Sequence, residues 1–443
     1  MQKKPELDGA LVSVRGLKTH YSIRGSFADR LMGREAGRVK AVDDVSFDLR
    51  KGEVLGLVGE SGSGKTTLGR TLLGLVRATG GSVIFEDRDI TKLNERELRD
   101  HRRRMQIVFQ DPHASLNPAM TIAQAVGHPL EIHGLASERS QIRTRVASAL
   151  EHVGLAPAEQ FLDKYPSDLS GGQKQRAVIA RAIILNPVLL VADEPVSMLD
   201  MSVRAKILQL MLDLKREFDL TYLYITHDLA TAKFFCDRIA IMYLGRIVEL
   251  GPSHAIYDDP KHPYTKALLR AIPEPDPRRT VPRDLPRGEM PDAARPPLGC
   301  SFHPRCPNAF EVCGWESRDL RDLLEARWTR MGEEAYEAEQ KTVGDLSVLD
   351  TPATSFRLPG AGTAHVLDSF RAESSDDPFW RGVKRIEPAA EHVDVEFHEP
   401  INPRPLQVGE SLVECHLYDE EALEKAEEAR RAQPRTEVAA VND

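Results

Sequence analysis

The stretch Gly59-Glu-Ser61-Gly62-Ser63-Gly64-Lys65-Thr66-Thr67 follows an apolar run at 54–58 and precedes helical spacing at 65–76. A strand before and a helix after are the context a phosphate-binding loop requires. Gly59, Gly62 and Gly64 let the backbone curl until successive N–H groups and the helix N-terminus point at phosphate oxygens. Lys65 adds a point charge for the β- and γ-phosphates, and the Thr66 hydroxyl can coordinate Mg²⁺. A second apolar run, 188–192, ends in Asp193-Glu194-Pro195. Two carboxylates therefore stand at the carboxyl end of a buried strand, the edge where ligands bind in open α/β sheets. Asp193 suits Mg²⁺ held through water, and Glu194 suits polarising the water that attacks a γ-phosphate. Leu169-Ser170-Gly171-Gly172-Gln173 opens a further helix as a backbone-amide anion site, without the lysine of a second phosphate loop. Gln110 and His227 each place a polar group directly after an apolar run, 105–109 and 222–226.

The elements that must position these groups alternate. Strands are expected at 11–15, 45–58, 82–86 and 105–109, then at 188–192, 221–226 and 238–243. Helices are expected at 172–185, 202–217 and 229–236, which argues a parallel sheet covered by helices. Residues 121–153 read as a helical subdomain interrupted by Gly127, Pro129 and Gly134, and 24–38 as an exposed loop between two strands. Eleven prolines between 252 and 297 predict a wrapping linker or an ordered extension without long elements. Beyond it, helices at 318–341 and 419–433 flank a poorly periodic middle.

A chain of 443 residues is long enough for roughly three domains. With 41% apolar and 29% charged residues it belongs with globular proteins, and no run approaches the ~18 apolar residues of a spanning helix. The N-terminus has no apolar segment behind its lysines, which points to the cytosol. The net charge of −9 is uneven: residues 315–443 hold 15 basic and 29 acidic side chains, the rest 44 and 39. That basic surplus is too mild for a nucleic-acid surface. Of five cysteines, Cys300, Cys306 and Cys313 are bunched as C-x5-C-x6-C, which suggests a metal or cluster rather than disulfides.

The order Lys65, Gln110, Ser170, Asp193 with Glu194, Asp200, His227 resembles the nucleotide-binding subunits of ATP-binding cassette (ABC) transporters over residues 10–251. These positions match the Walker A, Q-loop, signature, Walker B, D-loop and H-loop elements. The resemblance implies an α/β fold: an ABC-type P-loop domain with a RecA-like core, an antiparallel β subdomain and a helical signature subdomain at about 112–172, followed by an irregular C-terminal extension. It implies two cassettes standing head to tail, with ATP and Mg²⁺ between one P-loop and the partner's signature. The implied ATP contacts are Tyr21, stacking on adenine, and Gly59, Ser61, Gly62, Ser63, Gly64, Lys65, Thr66 and Thr67. Ser170, Gly171, Gly172, Gln173 and Asp200 complete them. Thr66, Gln110 and Asp193 would hold Mg²⁺, and Glu194, His227, Lys65 and Gln110 would carry catalysis. Met198 stands where the family usually has Ala, which predicts altered packing at the dimer seam.

Residues 106–118 resemble the Q-loop segment of the peptide and nickel importer branch, which faces the permease's coupling helices. Residues 260–313 resemble the C-terminal extension of oligopeptide/dipeptide importer ATPases, and Cys415-His416 matches that pattern's late Cys-His. Cys300, Cys306, Cys313 and Cys415 would then supply four thiolates, suited to Zn²⁺ or a [4Fe–4S] cluster. The resemblance favours the cluster, tying together an extension without a long apolar core. Residues 314–411 are a long insertion between the third and fourth cysteines. Cys236 reads as core, His262, His303 and His416 as structural, and the acidic 419–428 run as a solvated helix face.

The expected organisation is a cassette at 1–251, a Pro-rich extension at 252–314 and an acidic extension at 315–443 closing on Cys415. The implied function is the ATP-hydrolysing subunit of a di- or oligopeptide importer on the cytoplasmic face of the membrane. Its implied partners are two transmembrane permease subunits, a second ATPase subunit that is a paralogue, and an extracytoplasmic substrate-binding protein reached through the permease, with no nucleic acid. Competing readings are a soluble cassette ATPase acting on DNA or ribosomes, a subunit that binds ATP without turnover, and cargo of nickel chelates or oligosaccharides.

Overall fold

The computed structural model describes residues 9–23, 37–272, 288–360 and 362–432. Most of the expected 24–38 loop and the middle of the Pro-rich stretch lie outside them. The chain divides into two compact units, Met1–Asp259 and Pro260–Asp443.

In the first unit, β1 (Ala10–Ser22) and β2 (Arg38–Arg50) form a long antiparallel pair. They join β4 (Gly80–Phe85) and the short β5 (Arg88–Asp89) in a sheet ordered β2-β1-β4-β5. A second sheet holds β3 (Val54–Val58), β6 (Met105–Val108), β7 (Leu189–Asp193), β8 (Thr221–Thr226), β9 (Arg238–Tyr243) and β10 (Arg246–Pro252). Its order within this unit is β10-β9-β3-β8-β7-β6, parallel from β9 to β6, with β10 antiparallel on β9. Every residue of β3, β7 and β8 is buried, as parallel strands covered on both faces require. Gly56 is needed in β3, because a Cβ there would lie 2.7 Å from Cys236 Sγ. Cys236 is buried core, as expected, and burial pushes its thiol far up.

The helices follow the expected alternation. The longer ones are α1 (Lys65–Leu72), α2 (Glu95–Arg104), α3 (Ile122–Ile132), α4 (Arg139–His152), α5 (Gly171–Ile183), α6 (Met201–Phe218) and α7 (Leu229–Phe235). Gly127 and Pro129 do not interrupt α3. Gly127 is a packing residue, since a Cβ there would come within 2.6 Å of Ile142 on α4. The helix ends instead before Gly134, whose φ of 64° leaves helical space. Two short helices, α8 (Ser253–Asp258) and α9 (Pro263–Arg270), form inside the Pro-rich stretch.

The second unit departs most from expectation. The single helix foreseen at 318–341 is two, α10 (Ser317–Trp328) and α11 (Glu333–Val343), with Gly332 capping the second. The poorly periodic middle holds β11 (Ser355–Pro359), α12 (Thr363–Glu373), β12 (Val383–Pro388) and β13 (His392–Phe397), with the antiparallel sheet ordered β11-β13-β12. Val393, Val395 and Phe397 alternate inward along β13 while its other residues are half exposed. A hairpin of β14 (Pro405–Val408) and β15 (Ser411–Glu414) leads to Cys415. An apolar core does exist here, built on Trp315, Trp328, Phe370, Phe379, Trp380 and Phe397. Trp315 meets Phe379 edge-on at 5.6 Å, and Phe379 meets Phe397 at 5.5 Å. The acidic α13 (Glu420–Ala432) is not wholly solvated, since Ala422 and Ala426 are buried in that core.

Candidate functional site

The groups singled out in the sequence converge where the parallel strands end. The loop after β3 turns through Gly62 and Gly64 at φ of 82° and 103°, space that side chains rarely enter. At Gly64 a Cβ would also lie 1.9 Å from the Ala41 carbonyl, so this curl admits no other residue. Lys65 is 6% exposed, and its ammonium donates to the carbonyls of Gly59 and Glu60, each at 2.8 Å. Burial lowers its pKa, opposed by the charges of Glu194, Asp193 and Glu60.

Asp193 closes β7 and is buried, which raises its carboxyl above the usual range. The Thr66 hydroxyl donates to Asp193 Oδ1 at 3.0 Å. Arg70, one helical turn beyond Thr66, offsets the same carboxylate by charge. Sequence reasoning missed Arg70, although its i+4 spacing from Thr66 was a readable signal.

Glu194 sits at a φ of 48°, a left-handed backbone that costs a non-glycine residue about 1–3 kcal/mol. Its N–H donates to the Ile225 carbonyl at 2.9 Å, which secures the turn against β8. The carboxylate then receives two partners from neighbouring strand ends. Gln110 Nε2 donates to Oε2 at 3.1 Å, and His227 Nδ1 lies 3.1 Å from Oε1. Three strands thus deliver one cluster: β6 brings Gln110, β7 brings Asp193 and Glu194, and β8 brings His227. Thr66, Gln110 and Asp193 line a cleft of about 680 Å³ that runs on to Asn117, Met120 and Arg181.

The remaining motif residues stand apart from this cluster. Ser170 caps α5 in a reciprocal box, accepting from Gln173 N–H at 3.4 Å while Gln173 accepts from Ser170 N–H at 3.0 Å. Gly172 packs tightly, since a Cβ there would reach within 2.9 Å of Val203. Asp200 precedes α6 without a side-chain capping bond. Among the described residues, neither Ser170 nor Asp200 hydrogen-bonds to Lys65, Gln110, Asp193, Glu194 or His227. Arg204, unnoticed in the sequence, donates to the carbonyls of Leu199 and Ser197 and braces the turn that carries Met198. Met198 and Met201 are 61% and 84% exposed. Tyr21, next to the last residue of β1, pairs with Val39 and is exposed.

In the second unit, Cys300, Cys306, Cys313 and Cys415 line one small hollow, together with His262 and His416. All four are free thiols. Burial pushes Cys300 and Cys306 up to about 12, and Cys313 rises as well. Phe310 N–H donates to Cys313 Sγ at 3.4 Å, while the N–H groups of His303 and Ala309 go to the carbonyls of Cys300 and Cys306 at 2.9 and 3.3 Å. Among the described residues, no three His, Cys, Asp or Glu side chains stand close enough together to grip a metal ion. His262 caps α9, its Nδ1 accepting from Tyr264 N–H at 3.0 Å, and burial lowers its pKa to about 3. His303 spans the Cys300 carbonyl at 2.8 Å and Asp319 at 3.0 Å.

Two family profiles match the chain: ABC transporter over residues 42–197, and oligopeptide/dipeptide transporter, C-terminal region, over 248–313. A putative peptide import ATP-binding protein of Brucella ovis is 46% identical over 313 residues, covering 71% of this chain and 94% of the relative. The oligopeptide transport ATP-binding protein AppF of Bacillus subtilis is 46% identical over 306 residues, covering 68% and 91%. The chain belongs to the ATP-binding subunits of ABC transporters, in their oligopeptide/dipeptide branch.

Proposed function

We propose that this chain hydrolyses ATP to power import of di- or oligopeptides through a membrane ABC transporter. The observation that carries the reading is the meeting of Gln110 and His227 on the Glu194 carboxylate, beside the Thr66–Asp193 pair. It works at the cytoplasmic face, on two permease subunits, opposite a second cassette that is a paralogue. A separate binding protein delivers cargo through the permease.

Lys65 and the amides after Gly59 neutralise the β- and γ-phosphates, and Tyr21 stacks on adenine. When bound, Mg²⁺ supplies charge stabilisation at those phosphates, held by Thr66, Asp193 and Gln110. Glu194 orients the attacking water and receives its proton, while His227 braces the γ-phosphate. Ser170, Gly171, Gly172, Gln173 and Asp200 serve the nucleotide of the facing cassette. Their separation from Glu194 within one chain supports a site completed only in the dimer. Closure then works on the permease through the Gln110 segment, so that binding energy becomes subunit motion.

The four cysteines hold a [4Fe–4S] cluster with a structural role. What supports this reading is their convergence on one hollow and the family pattern that Cys415-His416 completes, although no three of the side chains there stand close enough together among the described residues to grip a metal ion. Such a group joins the turn at 300–313 to the strand that ends at Glu414, across the insertion.

Purification from detergent-solubilised native membranes tests the assignment. Two polytopic permeases and a second cassette are expected in stoichiometric amounts. Recovery only from the soluble fraction, with ribosomes or DNA, overturns it.

A further inference from the structure

We infer that His20 is a positioning residue for ATP binding: its ring fastens Asp43 and, through Asp43 and Gly245, holds the phosphate loop in the shape that turns the Gly64 N–H toward phosphate. The inference rests on the phosphate-loop assignment made above and adds a residue that itself touches no nucleotide.

Main chain walls the outer side of the loop between β3 and α1. In the β1–β2 ladder Thr19 pairs with Val42 and His20 with Lys40, so the register skips Ala41 as in a β-bulge. The Ala41 carbonyl is the atom that a Cβ on Gly64 would strike, and the Met242 carbonyl of β9 stands in the same way against Gly59. The two-residue turn Leu244-Gly245 joins β9 to β10, with φ of 41° and 79°. Leucine rarely enters that left-handed space, so the chain accepts a local cost to aim this turn. Gly245 N–H donates to the Ser63 carbonyl at 2.9 Å, and the Gly245 carbonyl accepts from Asp43 N–H at 2.9 Å. A trans peptide points its carbonyl and the following N–H in opposite directions. With the Ser63 carbonyl held by the turn, the Gly64 N–H faces the inside of the loop, where a phosphate oxygen accepts it.

His20 anchors the far end of this chain of bonds. Its Nε2 lies 3.0 Å from Asp43 Oδ1, and since a carboxylate only accepts, Nε2 carries the hydrogen. The two side chains are 18% and 19% exposed, so water competes little for the bond, and Lys40 Nζ stands 3.6 Å from Asp43 Oδ2. His20 is itself fixed. Its N–H donates to Thr79 Oγ1 at 3.2 Å, and the neighbouring Thr19 Oγ1 meets Thr71 Oγ1 of α1 at 3.1 Å. β1 is therefore tied to the helix that follows the loop, and the His20 ring carries that anchor across to the loop's outer wall. Without the ring donor, Asp43 and the skipped Ala41 are free to shift, and the Gly245 turn shifts with them.

The test measures equilibrium binding of ATP and of inorganic tripolyphosphate to the full chain, with thermal unfolding recorded for each variant. His20→Phe keeps an aromatic ring without the donor and should weaken both ligands about 5–20-fold, because the loop amide rather than the base is misplaced. The kcat of the assembled transporter at saturating ATP should stay within about twofold, as expected when binding is lost equally from ground and transition states. His20→Gln restores an N–H donor and should recover most of the affinity. Asp43→Ala should cost as much as His20→Phe, and the double variant no more than either, because each cuts the same chain. ATP weakened with tripolyphosphate binding unchanged would mean that His20 serves only the strand bearing Tyr21, and overturns the inference. Additive losses in the double variant, or His20→Gln no better than His20→Phe, overturn it as well. Wild-type protein that binds neither ligand overturns the phosphate-loop assignment, and this inference with it.

Discussion

The two units collect reactive side chains by opposite means. In the first, each group stands at the end of a wholly buried parallel strand, so sheet register sets the spacing: Val58, Val108, Asp193 and Thr226 end adjacent strands. In the second, the cysteines sit on turns and strand ends around a core of aromatic residues that the sequence scatters between 310 and 397. Buried strands pre-position a cluster from local sequence, whereas turns do so only once distant aromatics have packed.

That contrast predicts separable damage. Glu194→Gln removes the carboxylate proposed to orient the attacking water and should lower kcat roughly 10²–10⁴-fold with nucleotide binding kept. Its thermal unfolding should match wild type, and a fall in both ATP affinity and stability would show that the cluster holds the fold together. Trp315→Ala opens a cavity against Phe379 and should cost about 3–5 kcal/mol in the second unit. Calorimetry should show that unit melting earlier while the first unit still binds ATP; concerted loss of both would erase the distinction.

A smaller effect tests electrostatics within the second unit. Glu316 is 1% exposed, and burial pushes its carboxyl up to about 7 even though Arg318 donates to it at 2.7 Å. The folded state therefore keeps this proton over a pH range where the unfolded chain, near 4.5, has lost it. Its contribution is fully favourable below about pH 4.5 and is lost as pH rises through about 7, by at most about 3 kcal/mol. In Glu316→Gln that decline should flatten, measured by denaturant unfolding at pH 5 and pH 8. Least affected should be Arg357→Ala on the solvated sheet face, where the pair with Asp394 is exposed and screened by water, so denaturant unfolding should match wild type.

Legibility followed the same division. The run Val54–Val58, the Gly-rich loop, and the carboxylates after Leu189–Ala192 were readable because continuous apolar strands and obligatory glycines leave local marks. Gly127 misled as a breaker, since its purpose is to admit Ile142, a contact 15 residues away that no local pattern records. The middle between the helices expected at 318–341 and 419–433 reads as poorly periodic because β11 and β12 are edge strands with mostly exposed side chains, leaving only β13 with a clear two-residue alternation.

The central claim is that ATP turnover at the Glu194 cluster drives peptide movement. Its most direct test places the purified transporter in lipid vesicles, with ATP on the side of this chain and a labelled peptide with its binding protein on the other. Peptide accumulation that requires ATP and disappears in Glu194→Gln is the predicted result. Accumulation that persists in Glu194→Gln, or ATP hydrolysis that never moves peptide, would contradict it.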